Sequence, residues 1–344
     1  MPVHVNRRFR PNGDSMTSFA DASSLPQHGA APRPIRSIQA PSAVVMIRPH
    51  TFAPNPETAA DNSFQRLATP DTVASTSATA YAEVTTAAAT LEAHGVTVHL
   101  FDDAGTHNTP DSVFPNNWFS THAGGHIALY PMYSPNRRRE RRMDVIEMLK
   151  AHYRVQDVID YSGLEYDGLF LEGTGAMVLD HIERIAYAVR SNRTDPIALE
   201  RFCTNFNFEP MVFDAADAQG QAVYHTNVVM CVATEFAMVG LSMMQNAARR
   251  DEIRARLAES GRAIIDLSTD QIAEFAGNAL ELTGHEGRLL ALSTRALKSL
   301  RPSQIETLEQ SVTLLPLNVP TIELAGGSVR CMLAGIHLAR RTTP

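Results

Sequence analysis

The sequence predicts an α/β fold built from mixed β-sheets, and two observations lead to this fold class. Short apolar runs, typical of buried strands, alternate several times with segments that carry apolar residues at helical spacing. Pairs of strand-like runs joined by turn residues lie between these units and indicate antiparallel hairpins. A strictly parallel sheet contains no hairpins, so the combination favours sheets of mixed strand direction.

The first elements lie between residues 42 and 153. "SAVVMIRP" is a short apolar run that predicts a buried strand, and the alanine-rich run after it has apolar residues at helical spacing. Gly95 is typical of the end of that helix. The predicted elements are a strand at 42–49, a helix at 78–95, a strand at 96–102, a hairpin within 111–132 and an amphipathic helix at 136–153.

The same alternation continues to the C-terminus. Apolar runs again predict strands, and charged segments with helical periodicity predict helices. The predicted strands are 169–180, 184–191, 228–240, 263–268, 288–294, 312–319 and 330–338. The predicted helices are 196–206, 247–260, 269–282 and 303–311.

Composition limits the class of protein. The chain has 344 residues, of which 44% are hydrophobic, and this is ample for a large core. A net charge of -7 does not suit binding to nucleic acid, and the basic run "NRRRERR" at 136–142 predicts a solvated helix face. The sequence has no apolar run of roughly 18 residues that could span a membrane and no secretory signal. Its three cysteines are therefore expected to be reduced thiols in the cytoplasm.

The chain divides into two parts by composition. Residues 1–40 are rich in Pro, Ser, Ala, Gly and Arg and show no periodicity, which predicts a disordered or loosely attached N-terminal tail. One folded domain is expected over residues 41–344.

Three polar residues in two stretches interrupt apolar strand context and are candidates for chemistry. Glu172 follows "LFL" and precedes a Gly-Thr-Gly turn, which suits a carboxylate that faces a ligand. His225 and Asn227 in "YHTNVVM" have i, i+2 spacing, which puts both side chains on one face of a strand. Histidine is the usual proton carrier at neutral pH. An exposed strand end and a structural histidine are the alternatives.

Two further stretches contain side chains that could take part in binding or catalysis. Asn116 and Asn117 follow Pro115, and their amides both donate and accept hydrogen bonds. Cys331 follows a glycine-rich loop and stands beside Arg330, whose charge favours a thiolate. An Asn-rich turn and a buried thiol are the alternatives, and a buried core thiol is also expected at the other two cysteines.

Taken together, these residues contain the groups needed for nucleophilic catalysis. A thiol, an imidazole and a carboxylate occur in the order Glu172, His225, Cys331. These are the parts of a covalent mechanism with a general acid and base. Whether they meet in space is left open by the sequence.

The motifs "FPNNW", "LEGTG", "SNRT", "YHTNV" and "GGSVRC", in this order, resemble the pentein superfamily of guanidine-modifying enzymes. That superfamily includes arginine deiminase, dimethylarginine dimethylaminohydrolase, succinylarginine dihydrolase and the amidinotransferases. The resemblance covers residues 42–340 and is strongest to the bacterial arginine deiminase-related or citrulline-utilisation hydrolases.

The resemblance implies an α/β propeller of five blades with pseudo-fivefold symmetry and a site in the central channel. Residues 41–344 would form a single pentein catalytic domain. Cys331 would be the nucleophile, His225 the general acid and base, and Glu172 the carboxylate that binds a substrate nitrogen. Arg193, in "SNRT", resembles the arginine that binds the substrate carboxylate in the dimethylarginine hydrolases.

The sequence departs from arginine deiminases at two positions. Asn117 and Asn227 stand where those enzymes have Asp. A guanidinium only donates hydrogen bonds and favours carboxylates, whereas a neutral ureido group has a carbonyl acceptor beside its N–H donors and favours amides. With Asn116, these two residues are expected to bind substrate.

The expected function is therefore cysteine-dependent hydrolysis of a ureido or guanidino amino acid, with citrulline giving ornithine, ammonia and carbon dioxide. Deiminase-type or dimethylarginine-type guanidine hydrolysis, amidino transfer and a catalytically silent binding module are the alternatives. No cofactor and no metal are expected. The expected partner is a small amino-acid substrate, with no nucleic acid and no membrane, and a homodimer is left open.

Overall fold

The structure of the protein is a computed structural model that describes residues 38–66, 73–217 and 219–342. Residues 1–37 of the predicted tail lie outside the described residues. The end of the predicted tail that the structure describes, residues 38–40, lies against the folded chain. Gln39 is buried, and its amide nitrogen donates to the carbonyls of Leu179 and Val232 at 3.0 and 2.9 Å.

The described residues form fifteen strands. In chain order these are β1 Ala43–Pro49, β2 Thr97–Asp103, β3 Phe119–His122, β4 His126–Leu129, β5 Asp157–Asp160, β6 Met177–Asp180, β7 Ile185–Val189, β8 Glu209–Phe213, β9 Met230–Val232, β10 Phe236–Val239, β11 Ala263–Asp266, β12 Leu280–Gly284, β13 Gly287–Ser293, β14 Thr313–Leu317 and β15 Ala334–Gly335.

Nine α-helices accompany these strands in the described part of the chain. They are α1 Val73–Ala93, α2 Met143–His152, α3 Gly173–Ala176, α4 Pro196–Phe206, α5 Ala247–Glu259, α6 Thr269–Ala273, α7 Thr294–Ser299, α8 Pro302–Glu309 and α9 Val329–Met332. Short 3₁₀ turns at Pro115–Asn117, Arg137–Glu140, Ser162–Asp167, Thr226–Val228, Leu241–Met243 and Ile322–Ala325 complete the helical segments.

The strands form five sheets of three strands with one shared topology. In each sheet a central strand pairs antiparallel with one neighbour and parallel with the other, and the parallel connection passes through a helix. The sheets have the strand orders β3-β4-β5, β6-β7-β8, β9-β10-β11, β12-β13-β14 and β15-β1-β2. The predicted α/β class with mixed sheets is therefore confirmed.

One sheet joins the two ends of the folded chain. Strand β1 pairs in parallel with β2 across α1, and the short C-terminal strand β15 pairs antiparallel with β1 through Val44↔Gly335 and Val45↔Ala334. The last strand thus occupies the place that a hairpin partner occupies in the other four sheets. The apolar faces of the sheets pack against the helices and form the buried core.

Several predicted elements differ from the structure, among them the segment 228–240, which forms the two strands β9 and β10. The helix predicted at 136–153 starts only at Met143, because Arg137–Glu140 form a buried 3₁₀ turn held by its own ion pair. The helix predicted at 269–282 ends at Ala273. Phe275 then takes a positive φ of 62° and the chain enters β12.

The strand predicted at 330–338 is mostly a helical turn, α9, followed by the two-residue strand β15. Likewise, the strand predicted at 169–180 begins only at β6, after the helical turn α3. Apolar residues occupy these turns because they are buried, so an apolar run did not distinguish them from strands. Strands β5 and β8 and helix α7 were not predicted at all.

No helix among the described residues is both long enough and apolar enough to cross a lipid bilayer.

A buried ion pair ties two of the sheets together. Asp180, at the end of β6, accepts from both terminal nitrogens of Arg262 at 2.6 and 3.0 Å. Arg262 lies just before β11, and its Nε donates to the carbonyl of Ala233. Both side chains are almost completely excluded from solvent, so each charge is compensated by the other and not by water.

We expect Arg262→Met to lower the free energy of unfolding by about 3–5 kcal/mol, because it leaves the Asp180 carboxylate buried without its partner. Urea denaturation monitored by circular dichroism measures this change. The matched control is Arg256→Met, which removes an exposed ion pair with Glu209 and should cost less than about 1 kcal/mol. Equal losses for the two variants would contradict the importance of the buried pair.

Candidate active site

The candidate residues share one position in the repeated topology. A short irregular or helical segment precedes the first strand of every sheet. These segments are Pro115–Asn117 before β3, Glu172 with α3 before β6, His225 to Val228 before β9, Gly277 and Asn278 before β12, and α9 before β15. Every candidate except Arg193 lies on one of them, which explains how residues far apart in sequence converge.

Glu172 and His225 form the buried centre of the site. The Nε2 atom of His225 lies 2.9 Å from Oε2 of Glu172, and both side chains are almost completely buried. The second carboxylate oxygen of Glu172 accepts from the backbone N–H of Tyr133 at 3.0 Å. The carboxylate is therefore held in one orientation by hydrogen bonds to both of its oxygens.

Two arginines keep Glu172 ionised. Burial alone would raise the pKa of Glu172, but Arg193 at 3.4 Å, the His225 hydrogen bond and Arg137 at 3.7 Å outweigh it and hold the pKa well below its usual range. The fixed negative charge in turn determines which nitrogen of the histidine carries a proton.

His225 is neutral in this environment. Burial lowers its pKa to about 4, although Glu172 opposes the shift. A neutral imidazole facing a carboxylate through Nε2 carries its proton there, so we assign the Nε2–H tautomer and leave Nδ1 as a proton acceptor. The pair has the form of a base oriented by a carboxylate.

Cys331 receives two amide donors. Nδ2 of Asn227 lies 3.2 Å from its Sγ atom, and Nδ2 of Asn278 lies 3.3 Å away. The orientation of Asn278 is fixed, because its Oδ1 accepts from the backbone N–H of Arg330 and its Nδ2 also donates to the Asn227 carbonyl. Donors aimed at the sulfur stabilise negative charge on it.

Arg137 fixes the orientation of Asn117. Its Nη1 donates to Oδ1 of Asn117 at 2.9 Å, while Nε and Nη2 donate to both oxygens of Glu140. Since an arginine cannot accept a hydrogen bond, the amide of Asn117 is not free to flip. Its Nδ2 is buried and has no partner among the described residues. Burial raises the pKa of Glu140 to about 7 despite its ion pair with Arg137.

A small buried cavity is lined by several of these groups. Its wall includes the side chains of Asp111, Asn117, Arg137, Arg193, His225 and Cys331. Among its buried polar atoms, Oδ1 of Asp111 has no hydrogen-bond partner in the described part of the chain, and the neighbouring Asn227 likewise has an unpartnered Oδ1. Burial raises the pKa of Asp111, against the opposing effect of Arg137.

Four of the predicted site residues line the cavity, and three do not. Those that line it are Asn117, Arg193, His225 and Cys331, and those that do not are Asn116, Glu172 and Asn227. Asn116 is fully buried with both amide atoms unpartnered in the described structure, but it does not line the cavity. Arg193 lines the cavity, yet its Nε and Nη2 are paired with the carboxylate of Asp61 at 3.0 and 2.5 Å. Its guanidinium also lies 4.8 Å from the ring of Tyr224.

Sequence reasoning missed three residues of the site. Asn278 was hidden inside a predicted helix, although "GNAL" repeats the pattern of an Asn before an apolar run seen at Asn227. Arg137 belongs to a run that was predicted to be a solvated face, and that prediction is wrong for this residue, which is only 2% exposed. Asp111 had no signal beyond its place shortly before "FPNNW".

The other two cysteines are free and buried, as predicted. Burial raises the pKa of Cys203 and of Cys231 to about 12, which keeps both thiols protonated.

Gly175 allows the site to assemble. A Cβ atom on this residue would lie 2.2 Å from Nδ2 of Asn117 and 2.8 Å from the ring of His225. We therefore expect Gly175→Ala to displace both side chains and to lower kcat/KM by about 100-fold, the loss typical of a misplacement of about 1 Å. Steady-state kinetics measures this change once a substrate is in hand.

The control is Gly163→Ala, whose added Cβ would meet no atom within 4 Å. It should retain the activity of the unaltered protein, and both variants should unfold cooperatively. Full activity in Gly175→Ala would show that the close approach of Asn117 and His225 is not required.

Comparison with known proteins places this site in a family. Residues 48–338 match the family model described as N,N dimethylarginine dimethylhydrolase, eukaryotic. Among curated protein sequences no significant match is found.

Solved structures with the same fold include three proteins described as follows. The N-terminal domain of ArgZ, an arginine dihydrolase from the ornithine–ammonia cycle in cyanobacteria, is 15% identical with a TM-score of 0.65, and the match covers 86% of this chain and 97% of that one. AgrE in a binary complex with L-arginine is 16% identical with a TM-score of 0.67, covering 87% of this chain and 40% of that one. DDAH from Pseudomonas aeruginosa in complex with citrulline is 13% identical with a TM-score of 0.57, covering 88% and 100%.

The chain spans about two fifths of AgrE and nearly all of the other two. The family match extends over most of the chain and includes the segments that carry Glu172, His225 and Asn227, as well as Cys331. The protein therefore belongs to the N,N dimethylarginine dimethylhydrolase family, within the pentein superfamily of hydrolases that act on arginine-type guanidino compounds.

Proposed function

We propose that the protein hydrolyses the ureido group of citrulline or of a citrulline-like amino acid, with Cys331 as the nucleophile. One observation carries this proposal. The unpartnered polar atoms are of two kinds. At the cavity they are an amide donor on Asn117 and a carboxylate oxygen on Asp111, and beside it is the amide oxygen of Asn227, whose Nδ2 contacts the Cys331 sulfur. A ureido group also has both kinds, a carbonyl oxygen beside N–H donors.

The orientation of Asn117 favours a neutral substrate over a cation. Because Arg137 occupies its oxygen, Asn117 offers only its N–H donors to a ligand. A guanidinium, which also only donates, would meet a donor there, and the buried groups would stay unpaired at a cost of about 1–3 kcal/mol. A ureido carbonyl accepts the same hydrogen bond.

The proposed reaction has two steps. His225, neutral at the start, takes the thiol proton of Cys331. The resulting thiolate attacks the ureido carbon, the bond from that carbon to the ornithine nitrogen breaks, and the His225 imidazolium delivers the same proton to the leaving amine. This leaves a carbamoyl group on the sulfur. Water then gives a proton to His225 and adds as hydroxide to the carbamoyl carbon, the sulfur leaves and takes that proton back from His225, and the released carbamic acid decomposes to ammonia and carbon dioxide.

Glu172 supports both roles of His225. The mechanism needs the imidazole to gain a proton and lose it again within one cycle. Burial disfavours the imidazolium, so His225 starts as a base, while the ionised Glu172 at 2.9 Å stabilises the imidazolium once it forms. Glu172 also remains our candidate for contact with a substrate nitrogen.

The role of Arg193 requires a rearrangement. We propose that it binds the substrate carboxylate, as the family resemblance implies, but its fork is occupied by Asp61. Asp61 belongs to the segment 51–66, which also contributes Thr58 and Asn62 to the cavity wall. The substrate carboxylate would take the place of the Asp61 carboxylate on Arg193.

We further propose that residues 41–344 form one catalytic domain in which the five sheets are blades of a propeller. Support comes from a second cavity whose lining includes residues of β3, β6, β9, β12 and β15, the first strand of every sheet. A shared lining of this kind is expected when five like units surround an axis.

Guanidine hydrolysis is the second candidate. The buried Asp111 has an unpartnered carboxylate oxygen at the cavity, which suits a cation, and ArgZ is described as an arginine dihydrolase. Amidino transfer would require an acceptor amine, so product formation without an added amine separates it from hydrolysis. A silent binding module would release nothing from any of these compounds.

We expect the purified protein to release ornithine and ammonia from citrulline without an added amine, and Cys331→Ala to abolish this release. The matched control is Cys203→Ala. Its thiol is buried away from the cavity, so this variant should keep the turnover of the unaltered protein. Formation of citrulline from arginine would support guanidine hydrolysis instead. Formation of ornithine and two molecules of ammonia from each arginine would indicate guanidine hydrolysis followed by ureido hydrolysis.

We expect Asn117→Asp to shift the ratio of kcat/KM for citrulline over arginine toward arginine by at least about 10-fold, because a carboxylate next to Arg137 removes the amide donor. Asn246→Asp makes the same chemical change at an exposed helix N-cap and should leave the ratio unchanged. An unaltered ratio in Asn117→Asp would refute the argument from this amide.

A further inference from the structure

A second cavity lies apart from the one at Cys331 and contains an unusual charge. Arg330 and Cys331 are neighbours on α9 but line different cavities. The Arg330 guanidinium donates to the carbonyl of Leu333 at 3.1 Å. No acidic side chain among the described residues lies within ion-pairing distance of it, in contrast to the buried Arg137 and Arg193.

The groups that share this cavity add no negative charge. Its lining in the described part of the chain contains no Asp or Glu, but it contains His181 and His337, whose rings stack with their centroids 3.8 Å apart. Burial lowers the pKa of both histidines, and the charge of Arg330 lowers each further. The Nδ1 atom of His337 donates to the carbonyl of Ile38 at 3.1 Å, so this neutral ring has no further N–H, and the cavity combines one cation with the N–H donor of His181.

An uncompensated guanidinium in such a place is costly. Removing a charge from bulk water without a counter-charge disfavours the folded state, and the desolvation lowers the pKa of Arg330. Elsewhere in the described chain this protein pairs its buried arginines with carboxylates, as at Arg262 with Asp180. A counter-ion supplied from solution would compensate Arg330 in the same way.

We propose that this cavity is a binding site for a small monovalent anion, held by the guanidinium of Arg330 and the N–H of His181. The space between the lining side chains is small, on the order of a few water molecules, which favours a halide or a one-carbon oxyanion such as formate or bicarbonate over the larger phosphate and sulfate. Guanidinium and imidazole N–H groups are suitable donors for either.

The site is independent of the proposed ureido hydrolysis, because its residues belong to another cavity and its occupancy is read from stability. Sodium formate replaces sodium gluconate at constant ionic strength, and the unfolding temperature of the full chain is followed. A ligand that binds only the folded state raises this temperature with a saturable dependence on its concentration. We expect such a rise in the unaltered protein.

The expected result in Arg330→Met is loss of the formate response, with an unfolding temperature in gluconate equal to or above that of the unaltered protein, since the variant lacks the half-buried, uncompensated charge. Arg154→Met, which removes an exposed arginine outside the cavity, should keep the full response. Chloride should compete with formate, and phosphate should not.

Two outcomes would overturn the proposal. One is a formate response of equal size in Arg330→Met. The other is a response that survives in Arg330→Met but is lost in Arg193→Met, which would place the anion beside Cys331. If Arg330→Met does not fold, calorimetric titration of the unaltered protein decides: one saturable formate site displaced by chloride supports the proposal, and no saturable heat contradicts it.

Discussion

The buried carboxylate of Glu172 is the interaction on which the rest of the site depends. An isolated carboxylate at this depth would take up a proton, and only the arginines at 3.4 and 3.7 Å and the hydrogen bond to His225 keep it charged. Its charge sets the tautomer of His225, and it is the common neighbour of Arg193 and Arg137. Through Arg137 the same electrostatic cluster extends to Asn117, so the cluster that orients His225 also orients an amide that lines the cavity.

The repeated topology explains how these groups meet. Each sheet begins with a strand whose preceding segment is short and tightly packed, and this places one polar group per sheet at nearly the same position. Close packing there leaves little room for side chains: Gly175 lies against Asn117 and His225, and Gly277 lies against the backbone before β9. These glycines are therefore needed because a side chain at their positions would prevent the candidate residues from coming together, and not because the turns are flexible.

The sequence predicts the site residues that stand in recognisable short polar motifs, and it does not predict those whose role depends on burial in the folded chain. Alternating strands and helices gave the α/β class, and short polar motifs drew attention to Glu172, His225 and Cys331, which the structure brings to one cavity or its immediate wall. Asn278 was missed because apolar periodicity extended a predicted helix across it, and Arg137 was missed because a run of basic residues is typical of a solvated face. The pairing of Arg193 with Asp61 links residues 132 positions apart, and no local pattern contains it.

The site is completed only when the ends of the folded chain meet. Cys331 stands on α9, and the strand that follows it, β15, is held by β1 from the start of the described domain. The amides that contact its sulfur come from two further sheets, and Asn278 is itself held by the backbone of Arg330. These contacts have high sequence separation, and their loop-closure entropy must be offset before they stabilise anything. The sulfur is thus positioned by the same long-range contacts that close the fold, so a chain that has not joined β15 to β1 holds Glu172 and His225 without the Cys331 sulfur between the two amides.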